Sequence, residues 1–212
     1  KIKMQWISQE KNYDLYQAEV SIKEYGNYYY SFIFNEETTR DYELLIYDEG
    51  YLTPDWTKGG IIYHIFVDRF FRRNIIKKNG AIIRKWGEIP YYLPNTEGEI
   101  LNNDFFGGNL EGIREKLPYI AKLGVSIIYL SPIFEAYSNH KYDTGNYHKI
   151  DPMFGTEHSL KKLIREAKKY GINIILDGVF SHTGDDSIYF NKYGRYNSIG
   201  AYQSKDSPYY NW

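Results

Sequence analysis

The chain has 212 residues, 42 % hydrophobic, with 26 basic and 27 acidic side chains and a net charge of −1. That composition can bury a sizeable core, and it gives no field to draw the protein to nucleic acid or anionic lipid. The lack of cysteine excludes disulfides and thiolate metal sites, and no apolar run is long enough to cross a bilayer, the longest being broken by His64 and Asp68 or ended by Asp177.

The chain opens KIKMQW, without an initiating Met or a leader, and reads as an excised piece. From Met4 to about Glu49 short alternating stretches, DLYQAEVSI, YYYSFIFN and YELLIYDE, are separated by turn formers such as Gly26, Asn27 and Asn35. This predicts a small antiparallel β unit, too short for a complete sandwich. GYLTPDWTKGG then reads as a boundary.

After it, Ile61–Val67 is a candidate buried strand, followed by a long polar connection from Asp68 to about Asn109. Leu110, Ile113, Leu117 and Ile120 keep a helical spacing, with Asn109 as cap, Pro118 as a kink and Gly124 as stop. Val125–Leu130 is the next strand, and SPIFEAYSNHKYDTGNYHKIDPMFG another long loop. A second helix starts at the cap Thr156, buries Leu160, Leu163, Ile164 and Ala167, and ends at Lys168, Lys169 and Gly171. Ile172–Leu176 reads as a strand buried on both faces. Three strands with helical crossovers predict a parallel sheet. From His182 to Trp212 the chain is rich in Gly, Asn, Asp, Ser and Tyr and reads as an excursion above that sheet.

Polar chemistry gathers at the predicted C-terminal strand ends, where parallel α/β folds place ligand sites. Asp177 ends the third strand with His182 five residues on, and Tyr142 and Asp143 leave the second at the same end. Alone, Asp177 and His182 read equally as a turn cap and a surface imidazole. The 24 Tyr residues suit stacking on sugars, or they reflect a bias toward Lys, Ile, Asn and Tyr.

Five ordered stretches, TPDWTKGGIIYHIFVDRF, FFGGNLEGI, LGVSIIYLSPIF, HKYDTGNYHKIDPMFGT and IILDGVFSHTGDD, resemble the α-amylase family of glycoside hydrolases in its neopullulanase, cyclomaltodextrinase and maltogenic amylase branch. The resemblance covers nearly all of Pro54 to Trp212. It implies an α/β fold: the N-terminal part of a (β/α)8 TIM barrel, about three βα units, preceded by part of an antiparallel β-sandwich. The corresponding division is 1–53 for the sandwich part, 54–183 for the first part of the catalytic barrel and 184–212 for the start of the excursion (B domain). It also implies retaining hydrolysis of α-1,4 bonds, with α-1,6 as a second linkage, in maltodextrin, cyclodextrin, starch or pullulan. Tyr142 would stack on the sugar at the cleavage point, Asp143 and His182 would line that subsite, and Asp177, with His140, would support it from beneath. No cofactor is implied; the partner is an α-glucan, not nucleic acid or membrane. The branch often forms homodimers and leans cytoplasmic, with secretion the alternative.

Departures from the family pattern carry as much information. The two carboxyl groups of the retaining reaction come from later strands of the family's barrel, so this chain alone is expected to be inactive. Asp185 and Asp186 match neither catalytic position and read as solvated turn residues. Where relatives carry a calcium-binding Asn/Asp cluster, Arg72, Arg73, Asn74, Lys77 and Lys78 stand instead, and Ser181 replaces the Asn of a second site. Gly107 and Gly108 read as a tight turn. The rival expectation is a non-catalytic glucan-binding or scaffold protein on the same barrel.

Overall fold

Turn-prone residues cut the first part of the chain into short strands. In the computed structural model, which describes residues 1–211, these are β1 (Gln5–Glu10), β2 (Tyr13–Gln17), β3 (Gly26–Tyr30), β4 (Ile33–Phe34), β5 (Glu37–Thr38) and β6 (Tyr42–Ile46). They pair antiparallel as β1–β2, β3–β6 and β4–β5. Asn35 and Glu36 close the tightest hairpin with φ of 47° and 71°, the doubly positive turn that matches strand twist. The three pairs are separate two-stranded ribbons rather than two packed sheets, and Trp6, Tyr13, Leu15 and Tyr29 are exposed. The unit they form, Lys1–Pro54, is distinct from a second, Asp55–Trp212.

The second unit is built on three parallel strands, β7 (Ile62–Ile65), β10 (Ile127–Leu130) and β13 (Asn173–Leu176), with β10 in the middle. Their register aligns His64 with Tyr129 and Tyr129 with Ile175. Between the first two strands come α1 (Val67–Phe70), a short parallel pair of β8 (Ile82–Ile83) and β9 (Asp104–Phe105), then α2 (Leu110–Glu115) and α3 (Leu117–Lys122). Between the second and third lie a bulged hairpin, β11 (Phe134–Ala136) with β12 (Thr144–Ile150), and α4 (Glu157–Lys169).

The expected single helix from Leu110 is broken at Lys116. Pro118 lacks the N–H of a continuous ladder and its ring would clash with the carbonyl a turn earlier, so the chain restarts with Pro118 in the first turn of α3. Asn109 caps α2 through Gly112 N at 2.8 Å, and Thr156 forms a capping box with Ser159 on α4. The core joins Ile65, Ile128 and Leu130 to Leu110, Ile113, Leu117, Ile120, Leu163 and Ala167, with Leu160 packed against its margin. Burying such side chains is worth about 1.5–3 kcal/mol each. Arg114 bonds Glu111 within α2 and ties that helix to α4 through Glu166.

The third strand corrects an expectation. It is not buried on both faces: Asn173, Ile174 and Ile175 are only half-buried and Leu176 at its end is exposed, on a strand that pairs with β10 alone among the described residues. Ile61 and Ile62 are likewise exposed.

The connection after β7 is ordered by a buried carboxylate. Asp68 accepts from Phe106 N at 3.0 Å, Gly107 N at 2.9 Å and Arg69 Nε at 2.8 Å. Burial raises its pKa, and these donors oppose the rise without cancelling it. Gly107 turns at φ +82°, and a Cβ on Gly108 would sit 2.1 Å from the Val67 carbonyl. The pair is therefore a turn, as its sequence predicts, and also a close backbone crossing.

Candidate active site

Because side chains alternate along a strand, His64, Tyr129 and Ile175 share one face, and Ser131 and Asp177 extend the same rows by two residues. The ladder continues past the strand ends, with Ser131 N donating to Ile65 O and Asp177 N to Leu130 O, both at 3.0 Å. These bonds fix the two residues at the C-terminal rim.

Tyr142 reaches that rim from the loop between β11 and β12. Its hydroxyl donates to Asp177 Oδ2 at 2.8 Å, while its ring stays partly exposed. Tyr129 feels the charge of the same carboxylate. Burial and the Asp177 charge push both phenols upward, so they remain donors. His64 Nε2 lies 2.9 Å from Ser131 Oγ, and its ring meets Tyr129 edge-on at 5.3 Å. Sequence reasoning missed His64, Tyr129 and Ser131. The period-two count back from Asp177 and across the strands was the signal for them.

Of the sequence-predicted residues, Tyr142 and Asp177 are in direct contact. Asp143 faces its own loop, bonding Ser138 N at 3.0 Å and the Ser138 hydroxyl. His140 Nδ1 contacts Ser138 Oγ and accepts from Tyr142 N, both at 3.1 Å, which braces the loop under the Tyr142 backbone. Burial lowers the His140 pKa, favouring the neutral ring that this acceptor role requires. His182 is exposed and its ring contacts Ser181. The Tyr147 hydroxyl fastens this segment to β12 by bonding His182 O at 2.9 Å and the Val179 carbonyl. His182 lines a cleft of about 780 Å³ with Tyr147, Phe180, Tyr189, Tyr209 and Tyr210. Flat rings with polar tips are the surface a pyranose chain can use.

Under the loop lies a charged knot. Lys141 is fully buried, with φ +65°, and its ammonium bonds Asp151 Oδ2 at 2.7 Å and Ala136 O at 3.0 Å between the rings of Phe105 and Phe154. Lys78 joins the same carboxylate at 2.9 Å. Burial pushes the Lys141 pKa down to about 8 against the pull of Asp151. Burial alone would raise the Asp151 pKa, but the two ammonium groups overcome it and leave the carboxyl below its usual range.

The excursion brings a second correction. Asp186 is not a solvated turn residue: its side chain is largely enclosed, pairs with Arg195 at 2.9 Å and has a pKa raised by burial. Asp185 is exposed and holds Lys192 and Tyr193. Trp212, the last residue assigned to the excursion, lies outside the described residues.

The position where the resemblance implies calcium does not fit one. Asn109 Oδ1 caps Gly112 N, which turns its amide nitrogen onto Asn74 O at 2.8 Å and Gly107 O at 3.3 Å. Donor hydrogens thus occupy the space a cation would need between those carbonyls. The described residues contain no cluster of three His, Asp or Glu side chains able to hold a metal.

The three parallel strands and their helices form part of an α/β barrel, with Tyr142 held on Asp177 at the C-terminal rim. The sequence places it in a family: residues 64–212 match the alpha amylase catalytic domain, and the chain belongs to that family. An amylopullulanase of Thermoanaerobacterium saccharolyticum is 48 % identical over 84 % of this chain. A cyclomaltodextrinase of Geobacillus thermopakistaniensis is 45 % identical over 62 % of this chain and 21 % of its own length. The chain spans 16 % of that amylopullulanase. Among solved structures, the cyclic α-maltosyl-(1→6)-maltose hydrolase of Arthrobacter globiformis, in complex with that sugar, is 35 % identical with a TM-score of 0.61, over 75 % of this chain and 32 % of the other.

Proposed function

We propose that this chain supplies the sugar-binding rim of an α-glucan hydrolase that cuts α-1,4 bonds, with α-1,6 as the second linkage, in maltodextrin, cyclodextrin, starch or pullulan. One observation carries the reading: the Tyr142 hydroxyl is fixed on Asp177 at the strand ends while its ring stays partly open. A ring held at one edge offers its face to the apolar side of a glucose unit. His182 hydrogen-bonds sugar hydroxyls from the adjoining cleft, and Asp143 completes the subsite once sugar draws it from Ser138.

The reaction we infer retains configuration and needs two carboxyl groups about 5–5.5 Å apart, a nucleophile and an acid/base. Asp185 and Asp186 are engaged by Lys192, Tyr193 and Arg195, so the chain alone binds glucan without cutting it. A homodimeric, cytoplasmic enzyme with an antiparallel β-sandwich before the barrel completes the proposal. The open aromatic cleft around His182 serves equally a second reading, a glucan-binding protein with no hydrolysis at all.

Maltodextrin hydrolysis by the full-length protein separates the two, since a binder releases no reducing ends. In the enzyme, Tyr142→Ala lowers kcat/KM by roughly 100-fold, the scale of one well-placed group in the transition state. Unchanged kinetics in that variant would remove Tyr142 from the site.

A further inference from the structure

The rim segment that carries His182 is short of backbone bonds. Asp177 N donates to Leu130 O and Gly184 N to Thr144 O, both at 3.0 Å, but among the described residues the main chain from Gly178 to Thr183 makes no hydrogen bond to other main-chain atoms. Midway, the Tyr147 hydroxyl grips it, bonding His182 O at 2.9 Å and the Val179 carbonyl. A phenol has one proton, so two carbonyls three residues apart share it, and the backbone between them is drawn into a closed turn.

Tyr147 is itself held still. It lies on β12, its N–H donates to the Tyr189 hydroxyl at 3.0 Å, and its ring packs against Phe134, Phe180 and Tyr189 with centroids 6.0, 5.6 and 5.6 Å away. Burial pushes its pKa up, so the proton stays on the phenol.

We propose that Tyr147 is a positioning residue for His182: by clamping the Val179 and His182 carbonyls with its hydroxyl, it sets where the imidazole stands in the cleft. The inference rests on the His182 reading above and deepens it. Although the Tyr147 ring also lines the cleft, its one proton is engaged by the two carbonyls and is not free for a sugar. The effect on rate runs through the placing of His182, where a shift of about 1 Å can cost about 100-fold.

Tyr147→Phe removes the proton and keeps the ring. In the full-length protein we expect it to lower kcat on maltodextrin about three- to tenfold with KM changed less than about twofold. Once His182→Ala has removed the imidazole, Tyr147→Phe should cost less than about twofold more, because the two act as a unit. Equal losses in both backgrounds would make Tyr147 a packing or direct sugar contact and overturn the proposal, as would an unchanged kcat or a loss confined to KM. The melting temperature should stay within about 3 °C; a larger fall would make the hydroxyl a support of the whole fold and overturn it as well.

Crystal structures without substrate separate the clamp from the sugar reading. In Tyr147→Phe the Val179 and His182 carbonyls should move apart and B-factors rise from Gly178 to Thr183, while β12 keeps its own. An unmoved, equally ordered segment overturns the clamp whatever the kinetics. A loosened segment in a protein whose His182→Ala variant keeps full activity instead upholds the clamp, refutes the sugar role of His182, and with it the positioning role.

Discussion

His182 and Tyr142 illustrate what a single residue contributes at an open rim. The His182 backbone is fixed by Tyr147 while its ring remains exposed, beside Ser181. A ring nitrogen that accepts from a sugar hydroxyl gains most when positive charge develops on the sugar, because its hydroxyls then become better donors. His182→Ala in the full-length protein is therefore expected to lower kcat by about 10- to 100-fold with little change in KM. Steady-state kinetics on maltodextrin checks this, and a raised KM at constant kcat would make the ring a passive contact. Asp143 differs because its carboxylate is engaged by Ser138. Asp143→Asn should loosen the loop as well as the subsite, visible as faster amide exchange at Ser138.

Among elements, the hairpin of β11 and β12 sets where Tyr142 stands, and the Lys141, Lys78 and Asp151 knot sets the hairpin. Asp151→Asn would leave two ammonium groups facing a neutral amide, Lys141 fully buried. Breaking a buried pair costs about 3–5 kcal/mol, so the melting temperature should fall by several degrees. The pH dependence has a definite sign. Asp151 has a folded pKa below its unfolded value, so its contribution is complete above the unfolded carboxylate pKa of about 3.9 and is lost as pH falls through the folded value. Lys141 acts oppositely: below about 8 its buried charge is a cost, and stability from this group rises with pH between about 8 and its ordinary value of 10.5. Thermal unfolding between pH 3 and 10 reads both limbs, and Asp151→Asn should flatten the acid one.

The same hairpin shows where sequence reading stopped. The parallel strands and the caps Asn109 and Thr156 were legible because periodicity and capping are local signals, and the placing of Tyr142 and Asp177 at one end of the sheet followed from the direction of the strands. The β11–β12 pairing was not, because bulges between Phe134 and Ala136 break the alternation. Lys141 was invisible for another reason. A lysine in a polar loop reads as solvated, and only the fold brings Asp151 and the Ala136 carbonyl to it. Asp186 was misread the same way, its partner Arg195 lying nine residues on.

For the whole molecule, the ordering of the long connection after β7 decides whether stability depends on a divalent cation. Asp68 organises the crossing at Phe106 and Gly107, Lys78 turns inward to Asp151, and the Asn109 amide fills the gap between the Asn74 and Gly107 carbonyls. Internal donors thus satisfy groups that would otherwise need a metal. The expected outcome is a melting temperature unchanged by calcium or by EDTA. A ligand at 100 times its Kd would add about 2.7 kcal/mol, a shift a melting scan resolves easily. The converse variant makes the argument two-sided. Asn109→Asp keeps the oxygen that caps Gly112 but removes both donor hydrogens, so two carbonyls and a carboxylate face one another and stability drops by about 1–3 kcal/mol. Calcium should restore part of that loss in the variant alone, because only there do oxygen atoms converge without a proton between them. Should the unsubstituted protein itself gain stability with calcium, and lose that response on substitution of Asn74 or Asn109, the amide is not filling the gap and the connection holds a metal.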